Sequence, residues 1–469
     1  MGVFGIIGEK SENVASSVYY ALFSLQHRGQ ESSGIVVNDD GVFKVRKDSG
    51  LVDDVFTNEV LESLGYGNMA IGHVRYGTIN TKARVNAEPI VVNHMKGHFA
   101  IATAGRLVNV DKLRCELEMQ GMIFHTSSDA EIVSYLITKE RVNSASIEEA
   151  VCKAMERLDG GLSILLMSPQ KLIAVRDKHG FHPLCYGIRD NTQYVVASET
   201  CALDSVGATL IRELEPGEIV VFSNEGVKSI KDHCGKCNES LCVFEYVYTS
   251  RPDSIIADCS VHTARKRAGA LLAKSHPVDA DVVVGVPDSG LDAALGYAEE
   301  SGIPYGIGLI KNKYIGRTFI APGQNIREDK VKIKLNPISA TVKGKRVVLV
   351  DDSIVRGTTC AKLVKLLKSA GATEVHLRSS APPFINPCYY GTDIDSRDSL
   401  IACNHTREEI TKMTGADSLG YLRIEDVTKL GESGTCKGYC TACFTGKYPT
   451  EIPMSNPTAH KYDRKISEK

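Results

Sequence analysis

Val347-Val-Leu-Val-Asp-Asp-Ser-Ile-Val-Arg-Gly-Thr-Thr359 is the stretch that decides the fold of the C-terminal half of this chain. An apolar run ends in two carboxylates, and a loop of small hydroxyl residues then opens a helical stretch, Cys360 to Ser369. Leu363, Leu366, Leu367 and Ala370 share one face of that helix, Gly371 stops it, and Glu374–Leu377 begins a new apolar run. The same order occurs upstream, with Asp281-Val-Val-Val-Gly-Val286, then Pro287-Asp-Ser-Gly290, then a helical Leu291–Glu300. Such strand–loop–helix alternation predicts a parallel sheet with helices on both faces.

An acid-tipped strand running into a helix N-terminus suits a phosphosugar. Amides and hydroxyls of Ser353, Arg356, Gly357, Thr358 and Thr359 would hold a phosphate. Asp351 and Asp352 would face the sugar hydroxyls, and their paired charge suits Mg2+. The plainer alternative is a strand-to-helix turn with two solvated acids, but the whole string is far more specific than an acidic pair. Lys311-Asn-Lys-Tyr-Ile-Gly-Arg-Thr-Phe-Ile320 adds the cations Lys311, Lys313 and Arg317, and by itself reads as a basic surface loop.

The N-terminal half has a different pattern. Short strands are expected at Met69–Ile71, Phe99–Ala102, Leu162–Met167 and Tyr194–Ala197. Ser16 to Leu25 has helical spacing of Val18, Ala21, Leu22 and Leu25. This is a mixed α+β pattern. The polar stretch Asp232–Ser240 marks a boundary, which gives domains at 1–232 and 240–455 and a polar tail at 456–469.

Composition narrows the class. The chain has 469 residues, is 43% hydrophobic and carries a net charge of −2, which gives no bulk electrostatic case for nucleic acid or membrane surfaces. No apolar run approaches the about 18 residues of a membrane span, and no signal-peptide pattern is present, so a cytoplasmic protein is expected. In a reducing compartment the 14 cysteines are not a disulfide framework. Cys115, Cys152, Cys185, Cys201 and Cys360 read as core residues, whereas the spacing Cys436-x3-Cys440-x2-Cys443 suggests metal or redox chemistry.

Gly2-Val-Phe-Gly5, Gln26-His-Arg-Gly-Gln-Glu31, Ser127-Ser-Asp129, Ala197-Ser-Glu-Thr200, Ser250-Arg-Pro-Asp-Ser254, Gly285-Val-Pro-Asp-Ser289, the 347–359 string and Cys443-Phe-Thr-Gly-Lys-Tyr-Pro-Thr-Glu451 occur in one order. That order resembles the glutamine phosphoribosyl diphosphate (PRPP) amidotransferases, over nearly the whole chain. The resemblance implies an αββα N-terminal-nucleophile glutaminase-like domain followed by an α/β type I phosphoribosyltransferase domain. In that family one half frees ammonia from glutamine. The other attaches it to PRPP, giving 5-phosphoribosylamine and pyrophosphate in the first step of de novo purine synthesis. The resemblance carries Mg2+ contacts onto Ser289, Asp351 and Asp352, and pyrophosphate contacts onto the flexible loop with Lys311, Lys313 and Arg317. It also carries a [4Fe–4S] cluster onto Cys242, Cys388, Cys440 and Cys443, four thiolates being the ligand set such a cluster needs. A zinc site from Cys234-x2-Cys237 and Cys440-x2-Cys443 is the rival reading.

The glutaminase half departs from its family. The nucleophilic cysteine before Gly-Val-Phe-Gly is Met1 here, and a thioether has no proton to lose. The family's His-Asn-Gly-Asn-Leu-Val-Asn is Thr103-Ala-Gly-Arg-Leu-Val-Asn109, so Ala104 replaces the oxyanion asparagine and Arg106 is expected to intrude on the site. His182 stands where the family has arginine. Remnants of glutamine binding are expected at Arg75 for the carboxylate, Asp129 for the amine, and Gly105. The expected enzyme therefore uses PRPP and free ammonia, or ammonia from another protein, with purine nucleotides as inhibitors and a homo-oligomeric state. Two alternatives stay open: a PRPP- or nucleotide-binding regulator of a catalytic paralogue, and a phosphoribosyltransferase with another acceptor.

Overall fold

The computed structural model describes residues 1–77, 84–313, 335–392, 394 and 396–453. The chain forms two compact units. The first runs from Met1 to Leu241 and takes in two later segments, which start at Tyr389 and at Tyr448. The second holds Cys242–Cys388 and Ile394–Lys447.

In the N-terminal unit, two antiparallel sheets lie between helices. One sheet orders Thr209–Glu213, Cys185–Arg189, Gln193–Ala197, Gly2–Glu12, Gly67–Arg75, Ser32–Asp39 and Val42–Ser49. The other orders Gly226–Ile230, Ile219–Ser223, Leu172–Val175, Gly160–Met167, Gly97–Leu107 and Ile90–His94. Alternation along each strand divides the apolar residues between layers. Phe4 and Ile6 pack with Val18 and Leu22 of the helix Val14–Ser24, while Val3 and Ile7 join Met69, Ile71, Ala102 and Leu165 between the sheets. Ile101, Ile164 and Leu166 pack outward on the helices Val110–Met119, Asp129–Asn143 and Ile147–Arg157. The result is the αββα layering expected from the resemblance. Each strand foreseen from apolar runs is present and longer than its run: Met69–Ile71 lies within Gly67–Arg75, and Phe99–Ala102 within Gly97–Leu107.

The C-terminal unit is built on a four-stranded parallel sheet, ordered Val282–Gly285, Arg346–Asp351, Glu374–Ser379, Ser418–Tyr421. Val284, Leu349 and Leu377 pack with Leu363, Val364 and Leu367 of the helix Thr358–Ser369. Register aligns Asp351 with Ser379, and Ser379 with Tyr421, at the carboxyl edge of the sheet. That edge is where α/β sheets bind their ligands.

Candidate functional site

Asp351 closes its strand, Asp352 follows it, and both are buried. The turn then reaches Gly357, whose φ of +73° opens the helix Thr358–Ser369. A Cβ there would be strained and would lie 2.5 Å from Ile401 Cδ1. Glycine thus allows the tight turn that leaves Arg356, Thr358 and Thr359 exposed at the helix start. From the neighbouring strand end, Ser289 Oγ donates to Asp352 Oδ1 at 2.5 Å, and Ser353 Oγ donates to Asp352 Oδ2 at 2.5 Å. The structure therefore brings Ser289, Asp351, Asp352 and Ser353 together. Burial lifts both carboxyls above the usual carboxylate range; the charge of Asp352 lifts Asp351 further, and the two serine hydroxyls pull Asp352 partly back. Lys311 ion-pairs with Asp288, one residue before Ser289, and Lys313 is exposed. Arg317 lies outside the described residues.

The four cluster cysteines also meet within the C-terminal unit. Val243 N donates to Cys440 O at 3.3 Å, and Ile385 N and Asn386 N donate to Cys443 O at 3.1 Å, which ties their three segments together. Phe384 packs against Phe244 and Phe444 beside them. Burial, then the neighbouring cysteines, pushes the Cys242 and Cys443 thiols well above their ordinary range, and burial and Cys388 push Cys440 up to about 12. Among the described residues no group of three or more His, Cys, Asp or Glu is placed to hold a metal ion. Cys234 belongs to the other unit, where burial, Glu215 and Glu218 lift its thiol to about 11.

The N-terminal unit places the remaining predicted positions. Met1 packs against the apolar layer between the sheets, and Ala104 is buried in that same layer. Gly105 has φ +117°, and a Cβ there would lie 1.9 Å from the carbonyl oxygen of Gly161. Arg106 is exposed, stands two residues along its strand from Ala104 and so on the same face, and its charge pulls the Asp129 carboxyl down. His182 Nε2 lies 2.8 Å from Tyr390 O. Asp129 starts its helix, and its Oδ2 accepts from Leu107 N at 2.8 Å; burial raises its carboxyl, and that bond offsets part of the rise. Arg75 ends its strand, buried, with Nη1 3.3 Å from Glu88 Oε1 and 3.5 Å from Ser128 Oγ. Arg75 and Asp129 are thus both engaged by groups of the chain itself. Glu88 and Ser128 did not stand out in the sequence. The one available signal was that Ser128 belongs to the Ser127-Ser-Asp129 string.

A glutamine amidotransferase domain model matches residues 73–205, and a phosphoribosyl transferase domain model matches residues 262–386. The amidophosphoribosyltransferase of Methanocaldococcus jannaschii is 49% identical over 466 residues, covering 96% of this chain and 98% of its own. That of Bacillus subtilis is 47% identical over 464 residues, covering 98% and 96%. Among solved structures, the B. subtilis glutamine PRPP amidotransferase complexed with ADP and GMP superposes with a TM-score of 0.89 at 47% identity, covering 96% of this chain and 98% of its own. A second, the allosteric regulatory enzyme of purine biosynthesis, gives a TM-score of 0.91 at 46% identity and covers 100% of both chains. Likeness of this depth runs through both units, from the sheets of the first to the acid-tipped strand of the second, and so this chain belongs to the amidophosphoribosyltransferase family.

Proposed function

We propose that this enzyme joins ammonia to C1 of PRPP, forming 5-phosphoribosylamine and pyrophosphate, and takes no ammonia from glutamine in its own N-terminal unit. The observation that carries this reading is a contrast. Asp351, Asp352, Ser289 and Ser353 form a hydrogen-bonded acidic cradle, while Met1 packs, partly buried, against an apolar core that buries Ala104.

The oxygen donors of Ser289, Asp351 and Asp352 suit a hard divalent cation, and Mg2+ bound there would neutralise diphosphate charge. The chain's own groups would do the rest. The 353–359 turn holds the 5-phosphate, and Lys311, Lys313 and Arg317 meet the departing pyrophosphate and help exclude water from an oxocarbenium-like centre. Cys242, Cys388, Cys440 and Cys443 fit a structural [4Fe–4S] cluster, because four reduced cysteines converge there from three segments. We infer purine nucleotides as inhibitors, since ADP and GMP accompany the B. subtilis relative, with a homo-oligomeric state in the cytoplasm. No described helix is long and apolar enough to cross a membrane.

Purified protein with PRPP and Mg2+ is given either ammonium at alkaline pH or glutamine, and pyrophosphate is measured. Release with ammonium alone is expected; release with glutamine, matched by glutamate, overturns the loss of glutaminase. Iron and acid-labile sulfide are expected in anaerobically purified protein and are lost in Cys440→Ser.

A further inference from the structure

Glu88 lies where three elements of the N-terminal unit converge: the end of Gly67–Arg75, the strand Gly97–Leu107 and the cap of the helix Asp129–Asn143. Its Oε1 accepts from Arg75 Nη1 at 3.3 Å and from Ser128 Oγ at 2.5 Å. Its Oε2 accepts from Thr103 N at 2.6 Å and from Thr103 Oγ1 at 3.0 Å. His73 Nε2 stands 3.9 Å from Oε2, and burial pushes this imidazole well below its ordinary range, toward the neutral form. The Glu88 side chain is 0% exposed, and Arg75 as a residue is 5% exposed.

The backbone around Glu88 is held as firmly. Lys47 Nζ donates to Ala87 O at 2.7 Å and Pro89 O at 3.0 Å. Asn86 Nδ2 donates to Ser127 Oγ at 2.9 Å, and Ser127 N returns a bond to Asn86 Oδ1 at 2.9 Å. Glu88 O lies so close to Gly34 that a Cβ there would be 2.1 Å away.

We propose that Glu88 closes the amino-acid pocket of this unit by holding, from inside the chain, the carboxylate position opposite Arg75. The proposal rests on the reading above in one respect, that Arg75 is the ligand for the glutamine carboxylate in active relatives. A second carboxylate brought beside Glu88 would meet a like charge in a buried setting. Displacing Glu88 would strip it of four donors at once and leave a buried acid without partners. The hydroxyls of Ser128 and Thr103 are committed to the same acid, and Arg75 engages it through Nη1 while its buried Nε keeps no hydrogen-bond partner. Glu88 is therefore a specificity determinant: it restricts the nitrogen source to ammonia by removing the place where glutamine would dock.

The full-length protein is titrated calorimetrically with L-glutamine and with L-glutamate at millimolar concentration, and no binding heat is expected. Glu88→Gly, which leaves a carboxylate-sized space beside Arg75, is expected to melt at lower temperature. Formate or acetate should restore its melting temperature saturably, whereas chloride at equal ionic strength should not. Glu88→Gln fills the space without the charge, so it should also melt lower and show no carboxylate rescue. The proposal is overturned if wild-type protein binds glutamine or glutamate, if Glu88→Gly ignores carboxylates, or if Glu88→Gln melts like wild type. Should Glu88→Gly not fold, the wild-type titration and Glu88→Gln still decide. Ammonium-dependent pyrophosphate release by wild type is measured alongside. Its absence would remove the functional reading and leave the Glu88 result standing.

Discussion

The two units each bury a carboxylate cluster, and they treat it in opposite ways. In the C-terminal unit, Asp351 and Asp352 are adjacent and buried, and burial raises both above the ordinary carboxylate range, with the charge of Asp352 raising Asp351 further. In the N-terminal unit, Glu88 is equally buried but is met by Arg75, Ser128 and Thr103. Buried charge is costly unless it is paired and hydrogen-bonded. The first cluster stores that cost, and a bound cation and phosphosugar would relieve it. The second has settled the cost internally. A site whose groups are left electrostatically unfavourable is a candidate for ligand binding; one whose groups satisfy each other has become structure.

Breaking the settled cluster should give the largest change. Glu88→Ala leaves Arg75 buried without its acid and is expected to cost about 3–5 kcal/mol in urea unfolding, whereas replacing Glu88 and Arg75 together by methionine should cost far less. Breaking the unsettled cluster should show the reverse balance. Asp352→Asn is expected to lower ammonium-dependent kcat/KM by about 10²–10³ while raising ligand-free stability by about 1 kcal/mol, as kinetics and denaturation would show.

A smaller effect follows from pH. The raised carboxyls at 351 and 352 hold protons more tightly in the folded than in the unfolded chain. Their stabilising contribution is therefore present below the ordinary carboxylate range and is lost as pH rises through the raised values. Mg2+ and PRPP bound at these acids, as proposed, would remove that loss, so the melting-temperature gain on adding them should be greater at about pH 8 than at about pH 5. The smallest effect sharpens the comparison from the other side. Met1→Cys combined with Ala104→Asn restores the two absent chemical groups but leaves Glu88 in place. Glutamine-dependent glutamate release is expected to stay at background.

The C-terminal unit was the more legible in sequence, because its site is nearly contiguous. Asp351 through Thr359 lie on one turn, and only Ser289 arrives from elsewhere, itself within a recognisable string. The layering of the N-terminal unit was also readable, since alternating apolar residues sort themselves by face. Its buried Glu88 network was not. Glu88 is a lone acid between Ala87 and Pro89, and its partners come from residues 75, 103 and 128, which only the closing of two sheets and a helix brings together. The segments from Tyr389 and Tyr448 group with the first unit although they lie far along the chain, because the Tyr390 ring stacks on Phe181 at 4.0 Å and its hydroxyl meets Thr450 Oγ1 at 2.9 Å, contacts that no linear division anticipates.

Gly105 has a consequence for how such proteins are inherited. Its α-hydrogen faces the carbonyl of Gly161 across a strand pair with no room for a methyl group. Mutation there is penalised by folding itself, whether or not the neighbouring residues still perform chemistry. A lineage that abandons glutamine hydrolysis is thus free to change Met1 and Ala104 while mechanical necessity preserves the residue beside them. Sterics alone would hold Gly105 in any lineage that gave up glutamine hydrolysis, so this glycine in a genome records a shared backbone more faithfully than it records catalysis.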